Sequence, residues 1–233
     1  MSAGVERLKQ AMISDLSGRM AFLGFGETRP AVGVDGVQFV RTDSDIPLAF
    51  SVVEVRFERH SRGGIQVSSW AKIESSSVLE IHSTLPSSAL LRDGESLRDF
   101  VDRIDFDSLV DPVDPMSLRP ILDEGGVGIR GEWIENAVAG GVAEWFDKRD
   151  SLESLIELAK FVPEGGGSRK VSPGRLRGTV LLCLANGMPD IAASLMDWYV
   201  SLNGYNVLDS RERIASFDEA LKSKFPRYAD LRR

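Results

Sequence analysis

The amino-acid sequence predicts an α+β fold: an N-terminal helix packed on an antiparallel sheet of about four strands, followed by a mainly helical C-terminal half. Three observations carry this expectation. Apolar residues recur at helical spacing at the start of the chain; the period falls to two between residues 37 and 83; helical spacing returns after Pro86. A chain of 233 residues with 42% hydrophobic and 27% charged side chains has an ordinary globular composition and can bury a core without staples.

Val5, Leu8, Met12, Ile13, Leu16, Met20 and Leu23 fall on one helical stripe, with Ser2 as the expected N-cap and Gly24 as the stop. Gly18 lies inside that stripe and weakens it. Val37–Thr42 is a short strand. Leu48–His60 alternates Val53, Val55 and Phe57 against Glu54, Arg56, Glu58 and His60. Ser61-Arg62-Gly63-Gly64 turns the chain into Ile65–Ile73, and Val78–Ser83 reads as the last strand. Such short connections favour antiparallel pairing, with one dry face covered by the first helix and one wet face.

Leu90 and Leu91, then Leu97, Phe100, Val101 and Ile104, are spaced as a helix broken near Gly94. Asp111-Pro112-Val113-Asp114-Pro115 disfavours helix on both sides. Two subdomains are therefore expected, residues 1–110 and 116–233. Helices are expected over Glu132–Asp147, from Ser151 to Pro163, from Ser172-Pro173 to Asn186-Gly187, from Pro189, and from Asp209. Glu164–Ser168 is a glycine-rich connection.

Net charge is −7, which disfavours a broad nucleic-acid surface. No apolar run approaches the roughly 20 residues that span a bilayer, so no membrane contact is expected. The only cysteine, Cys183, sits in an apolar run and reads as a core side chain in a reducing, cytoplasmic setting. Between Asp93 and Asp114 eight acids face only Arg98 and Arg103, a local charge of −6. That segment is either a solvated helix face or a patch that draws in a basic partner. Asp99, Asp102, Asp105 and Asp107 are its candidate contacts. Asp99 and Asp102, three apart, are expected to share a helix face. Trp70, among Arg56, Glu58, Gln66, Ser68 and Lys72, is either covered by a helix of the second half or is an aromatic anchor.

Four motifs suggest chemistry and each lacks its context. Gly126-Val127-Gly128-Ile129-Arg130-Gly131 has dinucleotide-loop spacing but no buried strand before it, and reads as a plain loop. Gly165–Lys170 lacks phosphate-loop spacing. Ser69 and Lys72 match S-x-x-K but project from opposite faces of a strand. His60 and His82 are too far apart, and too few, for a metal. No cofactor is expected.

Phe22-Leu23-Gly24-Phe25 after a helix, then Val37-Gln38-Phe39-Val40-Arg41 opening a meander, resembles bacterial immunity proteins of polymorphic toxin systems over residues 1–85. The resemblance implies a non-enzymatic protein that binds and blocks a toxin domain. It transfers no binding residue. The expected function is thus a protein-binding module of inhibitor type for a basic toxin or nuclease domain. An enzyme or sensor holding a phosphorylated ligand in its glycine-rich loops, and a structural helical scaffold, stand as the alternatives.

Overall fold

A computed structural model describes residues 3–41, 45–91, 99–110, 119–160, 172–201 and 209–233. The fold is α+β, as expected. In chain order the elements are α1 (Ala3–Phe22), β1 (Glu27–Pro30), β2 (Gly36–Arg41), β3 (Phe50–Arg59), β4 (Ile65–Glu74), α2 (Ser76–Ser83), β5 (Phe100–Asp105), α3 (Glu124–Ala137), α4 (Ala143–Asp147), α5 (Leu152–Ala159), α6 (Pro173–Ala185), α7 (Pro189–Ser201), α8 (Arg211–Lys224) and α9 (Pro226–Leu231). The strands form one antiparallel sheet in the order β1-β2-β3-β4-β5. Contacts divide the chain into two interleaved units. The first is Met1–Ser44, Phe50–Lys72 and Arg103–Arg149; the second is Asp45–Ala49, Ile73–Asp102 and Asp150–Arg233. The boundary expected at residues 111–115 lies outside the described residues.

Two strand assignments change. Val78–Ser83 is the body of α2, because the Ser75 hydroxyl accepts from the Val78 amide and Val78, Ile81 and His82 bury one helical face. Phe100–Asp105 is β5, although its apolar spacing fits a helix. β1 is short, exposed and ends in Pro30, which suits an edge strand. Residues 92–98, where a helix was expected, lie outside the described residues.

In the first unit α1 buries Val5, Leu8, Met12, Leu16 and Met20. Gly24, at φ +85°, ends the turn that follows. One sheet face carries Val37, Phe39, Val53 and Val55, paired as Val37↔Val55 and Phe39↔Val53. All four are at most 3% exposed. α3 packs on α1, with Arg19 bridging Asp15 (2.8 Å) and Glu135 (2.5 Å). The glycine-rich run Gly126–Gly131 is therefore helical, against the expected loop, and opens on an Asp123 cap that accepts from Gly126 N. A π-turn, Val138–Val142, joins α3 to α4 at the glycine pair that weakens the helix.

In the second unit α6 is buried along nearly its whole length. Ser172 caps it by accepting from Arg175 N, with Pro173 in the first turn. Gly187, at φ +70°, closes it. Cys183 is fully buried there, and burial, with Asp190 adding to it, pushes its thiol up to about 12. Gly178 lets the helix lie directly on the Val101 backbone of β5. Asp209 does not cap α8; Ser210 does, accepting from Arg213 N. Asp209 is instead buried, taking Arg177 Nε (3.0 Å) and Nη2 (2.5 Å) and the Tyr199 hydroxyl (2.8 Å). Asp218 accepts from Tyr228 (2.5 Å) and Arg232 (3.1 Å), tying α9 to α8.

Candidate functional site

The second sheet face is polar yet largely closed, which corrects the wet face expected there. The pairing Arg29↔Gln38 and Gln38↔Glu54 sets three strands in register. Arg29 Nε donates to Gln38 Oε1 at 2.9 Å, and Gln38 Nε2 to Glu54 Oε2 at 2.8 Å. Lys72 Nζ, on β4, meets the same oxygen at 2.8 Å. Glu54 and Lys72 side chains are only 3% and 2% exposed. Burial pushes the Glu54 carboxyl up, but Lys72, Gln38 and Arg56 together outweigh it and hold it below its ordinary value.

This ladder ends at Trp70. Arg56 pairs with Glu54 Oε1 through Nε at 2.6 Å and Nη2 at 2.5 Å. Its guanidinium then lies over the Trp70 ring, 4.5 Å from the centroid. A contact of this kind contributes about 0.5–2 kcal/mol and fixes the plane of the indole. A buried carboxylate thus orients an arginine, and the arginine orients a half-buried tryptophan.

Trp70 lines a cleft of about 380 Å³ with Ser68, Asp105, Asp107, Arg130 and Trp133. The cleft forms where β5 ends and a 3₁₀ turn, Phe106–Ser108, begins. Asp105 caps that turn: its Oδ1 accepts from Ser108 N at 2.9 Å and from the Ser108 hydroxyl at 3.0 Å. Neither Asp105 nor Asp107 has an ion-pair partner among the described residues. Phe106 is buried beneath the turn and its ring meets Trp133 at 6.3 Å.

Beyond the end of β5, β4 has other partners on that edge. Ile65 pairs with Ile121 through reciprocal amide–carbonyl bonds of 2.9 and 2.8 Å. Arg130 donates to Val67 O at 3.4 Å and to Arg119 O at 2.8 Å, with its guanidinium 5.5 Å from the Trp133 centroid. It is 4% exposed and forms the floor of the cleft. Sequence reasoning does not single out Arg130 or Trp133: the glycine-rich run reads as a loop, and Trp133 stands only as the second residue of an expected helix. The Asp123 cap, followed by Val127, Arg130 and Ile134 at steps of three and four, is the signal that finds them.

Of the five expected contact residues, the structure brings Trp70, Asp105 and Asp107 to one cleft. Asp102 is 6% exposed and faces Arg175 at 3.6 Å, so it belongs to the second unit's interior. Asp99 is half-buried and its carbonyl accepts from Ser75 N at 2.8 Å. The helix face expected to join these two is absent, since Asp102 lies on β5. His82 lies on α2, not on a strand, and is buried. His60 follows β3 and accepts from Arg62 N at 3.3 Å. Among the described residues no three His, Cys, Asp or Glu side chains gather as metal ligands. No helix of the described residues is long and apolar enough to cross a membrane. Gly165–Lys170 lies outside the described residues. No protein-family model, curated protein or solved structure matches the chain significantly.

Proposed function

We propose that this protein is a non-enzymatic binding module that recognises a basic protein partner through the cleft of Trp70, Asp105 and Asp107. The observation that carries the reading is the convergence, on one concavity of about 380 Å³, of an oriented indole and two carboxylates that no ion pair among the described residues occupies. Carboxylates at a rim speed and orient encounter with a cation, and a fixed aromatic side chain supplies contact area at little entropic cost. A net charge of −7 extends the same attraction beyond the cleft. A partner that must itself hold polyanions, such as a basic toxin or nuclease domain, fits this surface, and occupation of its basic site would inhibit it.

Site-specific photocrosslinking tests the proposal. A benzophenone amino acid in place of Ser68, at the cleft wall, should capture one dominant basic protein in cells that make the chain. Asp105→Asn/Asp107→Asn in the same background should abolish that product. A crosslinking pattern unaffected by the double substitution overturns the reading.

A further inference from the structure

From the stacking of Arg56 on Trp70 we infer that the cleft takes two neighbouring groups of one partner segment: a cation on Asp105 and Asp107, and a neutral aromatic ring on Trp70. This rests on the binding role proposed for the cleft and names the chemistry of its occupant.

The argument turns on which side of the indole is already taken. Arg56 comes from β3, and β3 and β5 flank β4 on opposite sides. Arg56 holds Trp70 from the β3 side at 4.5 Å. The cleft opens on the β5 side, where Asp105 and Asp107 stand, and Arg56 does not line it. A cation on one face of an aromatic ring draws π density toward itself and leaves the other face poorer in electrons. A second cation stacked there would meet a weakened quadrupole and, across the thickness of one ring, the charge of Arg56. Arg56 is held in place by the buried Glu54, so it does not step aside. A neutral aromatic side chain escapes this repulsion and still gains offset or edge-to-face contact. The partner's cation is left to the two carboxylates, which no ion pair among the described residues occupies.

Three capped peptides separate the possibilities: Ac-Arg-Gly-Phe-NH2, Ac-Arg-Gly-Ala-NH2 and Ac-Arg-Gly-Arg-NH2. Each is titrated into the full chain carrying ¹⁵N-labelled tryptophan, at physiological ionic strength. The indole signal of Trp70 is assigned through Trp70→Phe. The phenylalanine peptide should bind about tenfold more tightly than the alanine peptide, and it should shift the Trp70 signal. The second arginine should gain less than phenylalanine, and in Arg56→Gln that gap should close. Equal affinity of the phenylalanine and alanine peptides overturns the aromatic inference and leaves the cationic cleft standing. The same follows if the diarginine peptide matches the phenylalanine peptide on the unaltered chain, or if the preference appears without a Trp70 shift. Failure of all three peptides to bind overturns the cleft reading as well.

Discussion

Gly131 of α3 lies directly against the Asp15 carboxylate of α1: a Cβ at residue 131 would overlap Asp15 Oδ2 and press on Arg19 Nε. The glycine that completes the G-x-G-x-x-G spacing is a packing device between two helices. Gly131→Ala should therefore destabilise the protein by about 1–3 kcal/mol despite the higher helix propensity of alanine. Chemical denaturation measures this, and a neutral or stabilising result would show that Asp15 and Arg19 move aside freely.

The Glu54–Lys72 pair should be costly to break and only partly replaceable by apolar side chains, because Glu54 also holds Gln38 and Arg56. Glu54→Gln or Lys72→Met alone leaves a buried partner uncompensated and should cost about 3–5 kcal/mol. Glu54→Leu with Lys72→Met removes both charges but strands the Gln38 amide and Arg56, so it should recover only part of that loss. A double variant as costly as the sum of the two single changes would show that neither charge depends on the other.

Acid should erase the contribution of Glu54. Its folded carboxyl titrates below the ordinary 4.5, so the stability it supplies is complete above that value and disappears as pH falls through the depressed one. The stability gap between the unaltered protein and Glu54→Gln should be constant near neutrality and shrink only in that acidic window. A gap that shrinks on the alkaline side instead would reverse the sign assigned here.

Charge removal should separate the acids by place. Asp105→Asn/Asp107→Asn should leave the melting temperature nearly unchanged and slow association with a basic partner at low salt, with less effect at high salt. Asp102→Asn should lower stability through Arg175 and leave association unchanged. Stopped-flow association at two ionic strengths, with thermal melts, checks both halves.

Asp218 should couple Tyr228 to Arg232. Tyr228→Phe and Arg232→Ala each remove a donor to the same carboxylate, and their combined effect should differ from the sum by about 0.5–3 kcal/mol. Strict additivity in a double-mutant cycle would mean that the two contacts are independent.

Much of the fold is legible in the sequence where local signals agree. α1, β2, β3, β4, the Ser151 and Ser172 caps and the Gly187 stop combine periodicity with capping or turn chemistry at the same residues. β5 is illegible because Phe100, Val101 and Ile104 have helical spacing, and only pairing within the sheet decides otherwise. α2 fails for the complementary reason: Val78–Ser83 is as short as a strand, and nothing but the Ser75 hydroxyl on the Val78 amide marks it as a helix start. In the site, residue type identifies Trp70, Asp105 and Asp107. Counting charge cannot tell these acids from Asp102, whose fate is set by where β5 runs and what Arg175 reaches.

The interleaving of the two units bears on how the chain is made. Ordinary multidomain proteins can finish one domain on the ribosome before the next emerges. Here the first unit awaits its Arg103–Arg149 piece, and the segments Asp45–Ala49 and Ile73–Asp102 emerge earlier, long before the Asp150–Arg233 piece they belong with. The residues Ile73–Asp102 thus spend part of synthesis without the rest of their unit, in reach of chaperones and of one another on neighbouring ribosomes. Cutting the gene at residues 111–115 should give two insoluble halves, because each half would lack part of both units.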